Sequence, residues 1–127
     1  MKNAFTGSWR ITDLELWDEE ARDLLGPAYI KFGSDGTGEF RFIAVEGWMD
    51  CRFGRKDAKS LVEFSWQGSD EMDEVSGRGW AVIEGSGELR GRIFFHQGDD
   101  SAFTATRGDS RATSTRRPRK RAWTRLS

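Results

Sequence analysis

The sequence predicts an all-β fold: eight antiparallel strands in an up-and-down meander, closed into a barrel, with one short lid helix. Three observations carry this expectation. Apolar and polar residues alternate with a period of two in eight runs before residue 108, as half-buried strands require. Turn signals separate most of the runs at short intervals, leaving little room for the crossover helices that parallel strands need. Gly is abundant, with 15 residues, and Pro is scarce, with 2, which suits many tight turns better than a helical bundle. Closure follows because it removes exposed sheet edges. A two-sheet sandwich is the structural rival.

The first strand is read over Gly7–Trp17, long and bent. Asp18–Leu25 begins with acidic residues, which favour a helix N-terminus, and Ala21, Leu24 and Leu25 form an apolar stripe. Gly26-Pro27 stops this helix, which is expected to plug one end of the barrel. Strands follow over Ala28–Phe32 and Glu39–Val45, joined by the Gly/Asp-rich turn Gly33–Gly38. Further strands are read over Trp48–Phe53 and Leu61–Trp66. An acidic loop, Gln67–Ser76, then leads to Arg78–Glu84. Gly85-Ser86-Gly87 is a tight hairpin signal before Glu88–His96, and Gln97–Asp100 turns into the last strand, Ser101–Arg107.

At 127 residues the chain has the length of one domain with one core. Nine Phe, six Trp and one Tyr are aromatic surface that must fill a core, line a cavity or form an interface. A single cysteine, Cys51, excludes an internal disulfide. The N-terminus has no apolar leader and no stretch reaches the length of a membrane span, so a soluble protein of a reducing cytoplasm is expected. Charge is divided unevenly. Residues 1–106 hold 12 Lys/Arg against 20 Asp/Glu, whereas residues 107–127 hold 8 against 1. The expected organisation is therefore an acidic barrel domain over 1–107 and a disordered basic tail over 108–127. The tail's Arg116–Arg121 run is the one segment suited to nucleic acid or another anionic partner.

The segment Ala4-Phe5-Thr6-Gly7-Ser8-Trp9 resembles the first-strand signature of the calycin superfamily, the lipocalin-like and fatty-acid-binding-protein-like barrels. The resemblance covers residues 4–107. It implies that Trp9 closes one end of the barrel, with Arg107 of the last strand packed across its indole, and that a small ligand sits inside. The second and third lipocalin signatures are not evident, and eight strands with one helix differ from the ten strands and helix pair of fatty-acid-binding proteins. The same residues also resemble a group of small uncharacterised bacterial proteins, which implies no function.

The apolar phase, carried by Phe40, Phe42, Phe64, Trp66, Ile93 and Phe95, is expected to point inward and to wall a site for a small hydrophobic or amphipathic ligand. A core filled by these same side chains is an equal alternative, and the protein is then an interaction module using exposed Trp and Arg together with the tail. Asp50, Arg52, Arg78, Trp80, Arg90 and Arg92 fall on the opposite phase and are expected outside. His96 with Asp99 or Asp100 is the one constellation that suggests acid–base chemistry or metal binding, but the favoured explanation is a hairpin turn in which Asp99 or Asp100 bonds the local backbone and His96 packs at the rim. One imidazole without a cysteine pair is poor for structural zinc. The acidic loop lacks the oxygen spacing of a calcium loop. No nucleophile-elbow or phosphate-loop motif occurs, so neither catalysis nor a cofactor is expected.

Overall fold

A computed structural model of the chain describes residues 3–108. The tail read as disordered lies, from residue 109, outside the described residues. Eight strands form one closed antiparallel barrel in sequential order. They are β1 (Gly7–Leu14), β2 (Tyr29–Phe32), β3 (Thr37–Phe42), β4 (Val45–Lys56), β5 (Lys59–Asp70), β6 (Asp73–Ile83), β7 (Leu89–Phe95) and β8 (Asp100–Arg107). The barrel closes where β1 pairs with β8, from Trp9↔Arg107 to Leu14↔Phe103, with a bulge between Ile11 and Asp13. The meander and its closure are thus as the alternation predicts, and the sandwich is excluded.

Several strand ends differ from the sequence reading, the first strand stopping at Leu14 and the run Glu39–Val45 breaking after Phe42, and two regions differ in kind. Gln67–Ser76 is no loop: β5 and β6 continue through it in register, from Gln67↔Ser76 to Asp70↔Asp73. Only Glu71 and Met72 turn, both at positive φ (52° and 82°), the geometry of a two-residue hairpin. The helix is a single turn, α1 (Glu19–Arg22), capped by Asp18, whose carboxylate accepts from Ala21 N at 2.9 Å. The expected apolar stripe does not plug the barrel, since Leu24 is exposed and the residue α1 buries is Arg22. Beside α1, Trp17 supplies the apolar cover by packing on Phe42 at 5.8 Å between ring centroids.

The interior is built from rings. At the α1 end Phe40, Phe42, Phe95 and Trp66 form a closed circuit, with centroids 5.0 to 6.3 Å apart. At the opposite end Phe5, Phe32 and Phe53 form a trio. Between them lie Ile11, Ile30, Val62, Phe64, Ile93 and Phe103, all buried. Two glycines explain how so many rings fit. A Cβ at Gly47 would stand 2.5 Å from Phe40 Cζ, and one at Gly79 would stand 2.3 Å from Phe64 Cζ. Each ring lies over a bare stretch of neighbouring backbone, as aromatic residues do where strands coil tightly.

The Phe5 end is closed by Trp9 and Arg107. The Arg107 guanidinium carbon lies 4.0 Å from the indole centroid of Trp9. Its nitrogens donate to Thr6 O at 2.9 Å and Ala4 O at 2.8 Å, while Trp9 Nε1 donates to Phe5 O at 2.9 Å. One side chain of the last strand thereby fastens the segment that brings Phe5 into the core. Arg107→Ala is expected to lower the unfolding free energy by about 1–3 kcal/mol, the loss of a stacked cation and two charge-assisted hydrogen bonds. Arg107→Lys should recover only part, because an ammonium cannot stack and fork at once. Urea titration of the three proteins checks both statements.

Candidate functional site

The six side chains expected to wall a ligand site come together in the barrel. Phe40, Phe42, Phe64, Trp66 and Ile93 are buried and Phe95 is partly buried at the rim. They pack on one another, ring against ring. One group among them lacks a partner: Trp66 Nε1 is buried with no hydrogen-bond acceptor among the described residues.

His96, Asp99 and Asp100 are close in sequence, and among the described residues no side-chain hydrogen bond or ion pair joins His96 to either carboxylate. His96 is exposed, and its backbone N–H donates to Ser76 O at 2.8 Å. The turn is closed by main-chain bonds, Phe95 N to Asp99 O and Gly98 N to Phe95 O, each 2.9 Å. Asp100 pairs with Arg92, which also reaches Glu15 at 3.3 Å. Among the described residues no group of three or more His, Cys, Asp or Glu could hold a metal ion. Cys51 is buried on β4, and burial, with Asp50 and Asp35 nearby, pushes its thiol up to about 12, far from the reactive thiolate range.

A groove of about 1300 Å³ lies over β4, β5, β6 and β7; outward side chains line it, and Met49, Phe64, Trp66 and Phe95 of the inner phase border it as well. The strand register arranges its outward side chains in three rows across the sheet. The first is Trp48–Gln67–Ser76, continued by His96. The middle row is Asp50–Ser65–Arg78–Phe94, and the third is Arg52–Glu63–Trp80. The long hairpins place this face, because β4 and β5 pair over their full twelve residues. Small Ser65 sits in the middle of the middle row. Three aromatic side chains stand out into solvent: Trp48 is 56% exposed, Trp80 38% and Phe94 38%. Trp80 also borders a smaller depression of about 300 Å³ over β7 and β8.

What marks the groove is the meeting of exposed aromatic side chains with polar ones that have no internal partner among the described residues. Ion pairs outside the groove join Arg10 and Arg22 with Asp23, Lys59 with Glu84, and Arg92 with Glu15 and Asp100, while other surface charges such as Lys31, Glu74 and Arg90 are unpaired among the described residues. In the groove, the side chains of Asp50, Arg52, Glu63, Ser65, Gln67, Ser76, Arg78 and His96 make no hydrogen bond or ion pair among the described residues.

The sequence reading assigned Asp50, Arg52, Arg78 and Trp80 correctly to the outside, where it took them as ordinary solvated side chains and not as a site. The signal for one was Trp48, Trp80 and Phe94, large apolar residues on the polar phase of their strands.

Among the described residues no helix is long and apolar enough to cross a membrane. Comparison of the chain with family models, curated proteins and solved structures finds no match to any of the three, so the shape and chemistry of the groove carry the functional argument.

Proposed function

We propose that the protein is a non-catalytic binding module whose recognition surface is the outer groove over β4–β7. The observation that carries this reading is the coincidence of three exposed aromatic side chains with a set of unengaged polar ones in a single concavity. Large apolar surface left in water is costly unless a partner covers it at some stage. Trp in particular suits a surface that must be apolar on one side and wet on the other. The ring packing inside the barrel supports placing the ligand outside. Kinship with the calycins is also part of our reading, supported by the Arg107–Trp9 closure of the β1–β8 seam.

A second reading keeps the ligand inside the barrel, favoured by the unpartnered Nε1 of Trp66. That N–H would welcome an acceptor from a small guest, since leaving it bare costs about 1–3 kcal/mol.

The indole N–H resonances separate the two. Isotope-labelled full-length protein is titrated with fractionated extract of its source cells, and the signals of Trp48, Trp80 and Trp66 are followed. The outer-groove reading expects Trp48 and Trp80 to move, with or without Trp66, which borders the same groove. Movement of Trp66 alone, or of none of the three with any fraction, overturns it.

A further inference from the structure

We propose that the groove binds a neutral oligosaccharide, with sugar rings stacked on Trp48 and Trp80 and hydroxyl groups held along the row between them. The inference rests on the outer-groove reading and adds the chemistry of the ligand.

The first argument is charge. The four formal charges in the groove cancel, with Asp50 and Glu63 against Arg52 and Arg78, although the described body as a whole is acidic. A ligand bearing a net charge of either sign gains nothing there and must face two groups of its own sign. The second is hydrogen-bonding capacity. Two carboxylates only accept, two guanidinium groups only donate, and Ser65 with Gln67 can do both. Such a mixed set matches hydroxyl groups, each of which donates one hydrogen bond and accepts others. These side chains are unengaged among the described residues, so a ligand takes them from water without breaking an internal contact. The third is shape. Trp48 and Trp80 stand two strands and four residues apart in register, on the order of 15 Å at sheet spacing. That spans more than one sugar ring, so a chain of linked units is required. Pyranose rings are apolar on their C–H faces and polar at their edges, which suits Trp48 and Trp80 at two ends with Asp50, Ser65 and Arg78 between them.

Other occupants fit less well. A nucleic-acid strand brings phosphates against Asp50 and Glu63, without the excess of basic groups that such binding draws on. An extended peptide adding to a sheet needs a free edge, and the closed barrel has none. A second copy of this chain would bury Asp50 and Arg78 at the centre of its interface, where charged residues are depleted.

The test uses labelled full-length protein and five neutral probes: cellohexaose, maltohexaose, xylohexaose, mannohexaose and N-acetylated chitohexaose. The expected result is a saturable shift of the Trp48 and Trp80 indole signals with at least one of them. In Trp48→Ala and in Glu63→Gln, both surface changes, affinity for that probe should fall about tenfold or more. No shift with any of the five overturns the assignment, as does binding that both variants retain. If instead a single-stranded oligonucleotide, or dilution of the protein itself, moves Trp48 and Trp80, the glycan assignment fails and the outer-groove reading stands. If a sugar moves Trp66 alone, both fail.

Discussion

Phe64→Ala is expected to lower the unfolding free energy by about 3–5 kcal/mol, whereas Trp80→Ala, on the adjoining strand of the same sheet, should change it by less than about 1 kcal/mol. The two residues are near neighbours: Glu63 pairs with Trp80, and Phe64 with Gly79. They differ in the side of the sheet they face. Phe64 is buried, and its ring lies directly over Gly79, which has no side chain to swing into the space that truncation would open. The loss therefore includes both the transfer of the ring and most of the cavity left behind. Trp80 is the larger side chain, but over a third of it already meets water. Urea unfolding of both variants measures the difference. A loss under about 1.5 kcal/mol for Phe64→Ala would mean that the lumen has slack and that its side chains are not packed to fill it. The pair also bears on the proposed function, in which Trp80 serves the groove rather than the core: a loss above about 1 kcal/mol for Trp80→Ala would assign it a structural role instead.

The parts of this molecule that were legible in the sequence are those governed by alternation. Phe40 and Phe42, Val62, Phe64 and Trp66, and Leu89 and Ile93 announce an inner face by their spacing, and the sheet places them there. Trp9 and Arg107 were legible through their order along the chain and through the resemblance they support. The turns were less so. Glu71-Met72 and Asp57-Ala58 turn at positive φ without Gly or Asn. The chemical signal that normally marks such a turn is therefore missing, and Gln67–Ser76 reads as a loop although it is paired strand. Ile43 alone takes positive φ in the turn between β3 and β4, which hides a strand end inside an apparently continuous run. The groove was illegible for another reason. Its rows are assembled from four strands whose register is a tertiary fact, so Trp48 and Trp80, 32 positions apart, become two ends of one surface only after β4, β5 and β6 pair.

The helix shows the same limit from the electrostatic side, and it yields the second large effect: Asp23→Asn should destabilise the protein by about 2–3 kcal/mol at neutral pH. Read as sequence, Asp23 is one more acid near an apolar stripe. In the fold its carboxylate accepts from Arg10 at 3.2 and 3.1 Å, from Arg22 at 3.1 and 2.9 Å, and from Ala28 N at 2.9 Å. It joins α1, β1 and the entry to β2. Arg22 is nearly buried and also donates to Thr12 O, so without the carboxylate its charge would remain inside with little to balance it. Partial exposure of Arg10 and Asp23 keeps the expected cost below that of a fully buried pair. Burial pushes the Asp23 carboxyl upward, but the hydrogen bonds from Arg22, Arg10 and Ala28 N outweigh it and hold it well below the usual carboxylate range. A carboxyl depressed on folding stabilises the native state above its unfolded pKa, about 3.9, and that contribution disappears as pH falls through the lower, folded value. The wild type and Asp23→Asn should therefore differ fully at pH 6 and progressively less from about pH 4 toward pH 2, because protonation removes from the wild type the charge that the substitution has already removed. Asp100→Asn, which breaks a more exposed pair with Arg92, should cost less than about 1 kcal/mol. Stability curves of Asp23→Asn and wild type that run parallel from pH 6 to pH 2 would mean that the carboxylate's charge does not hold this corner together, and that its role is confined to shape and neutral hydrogen bonding.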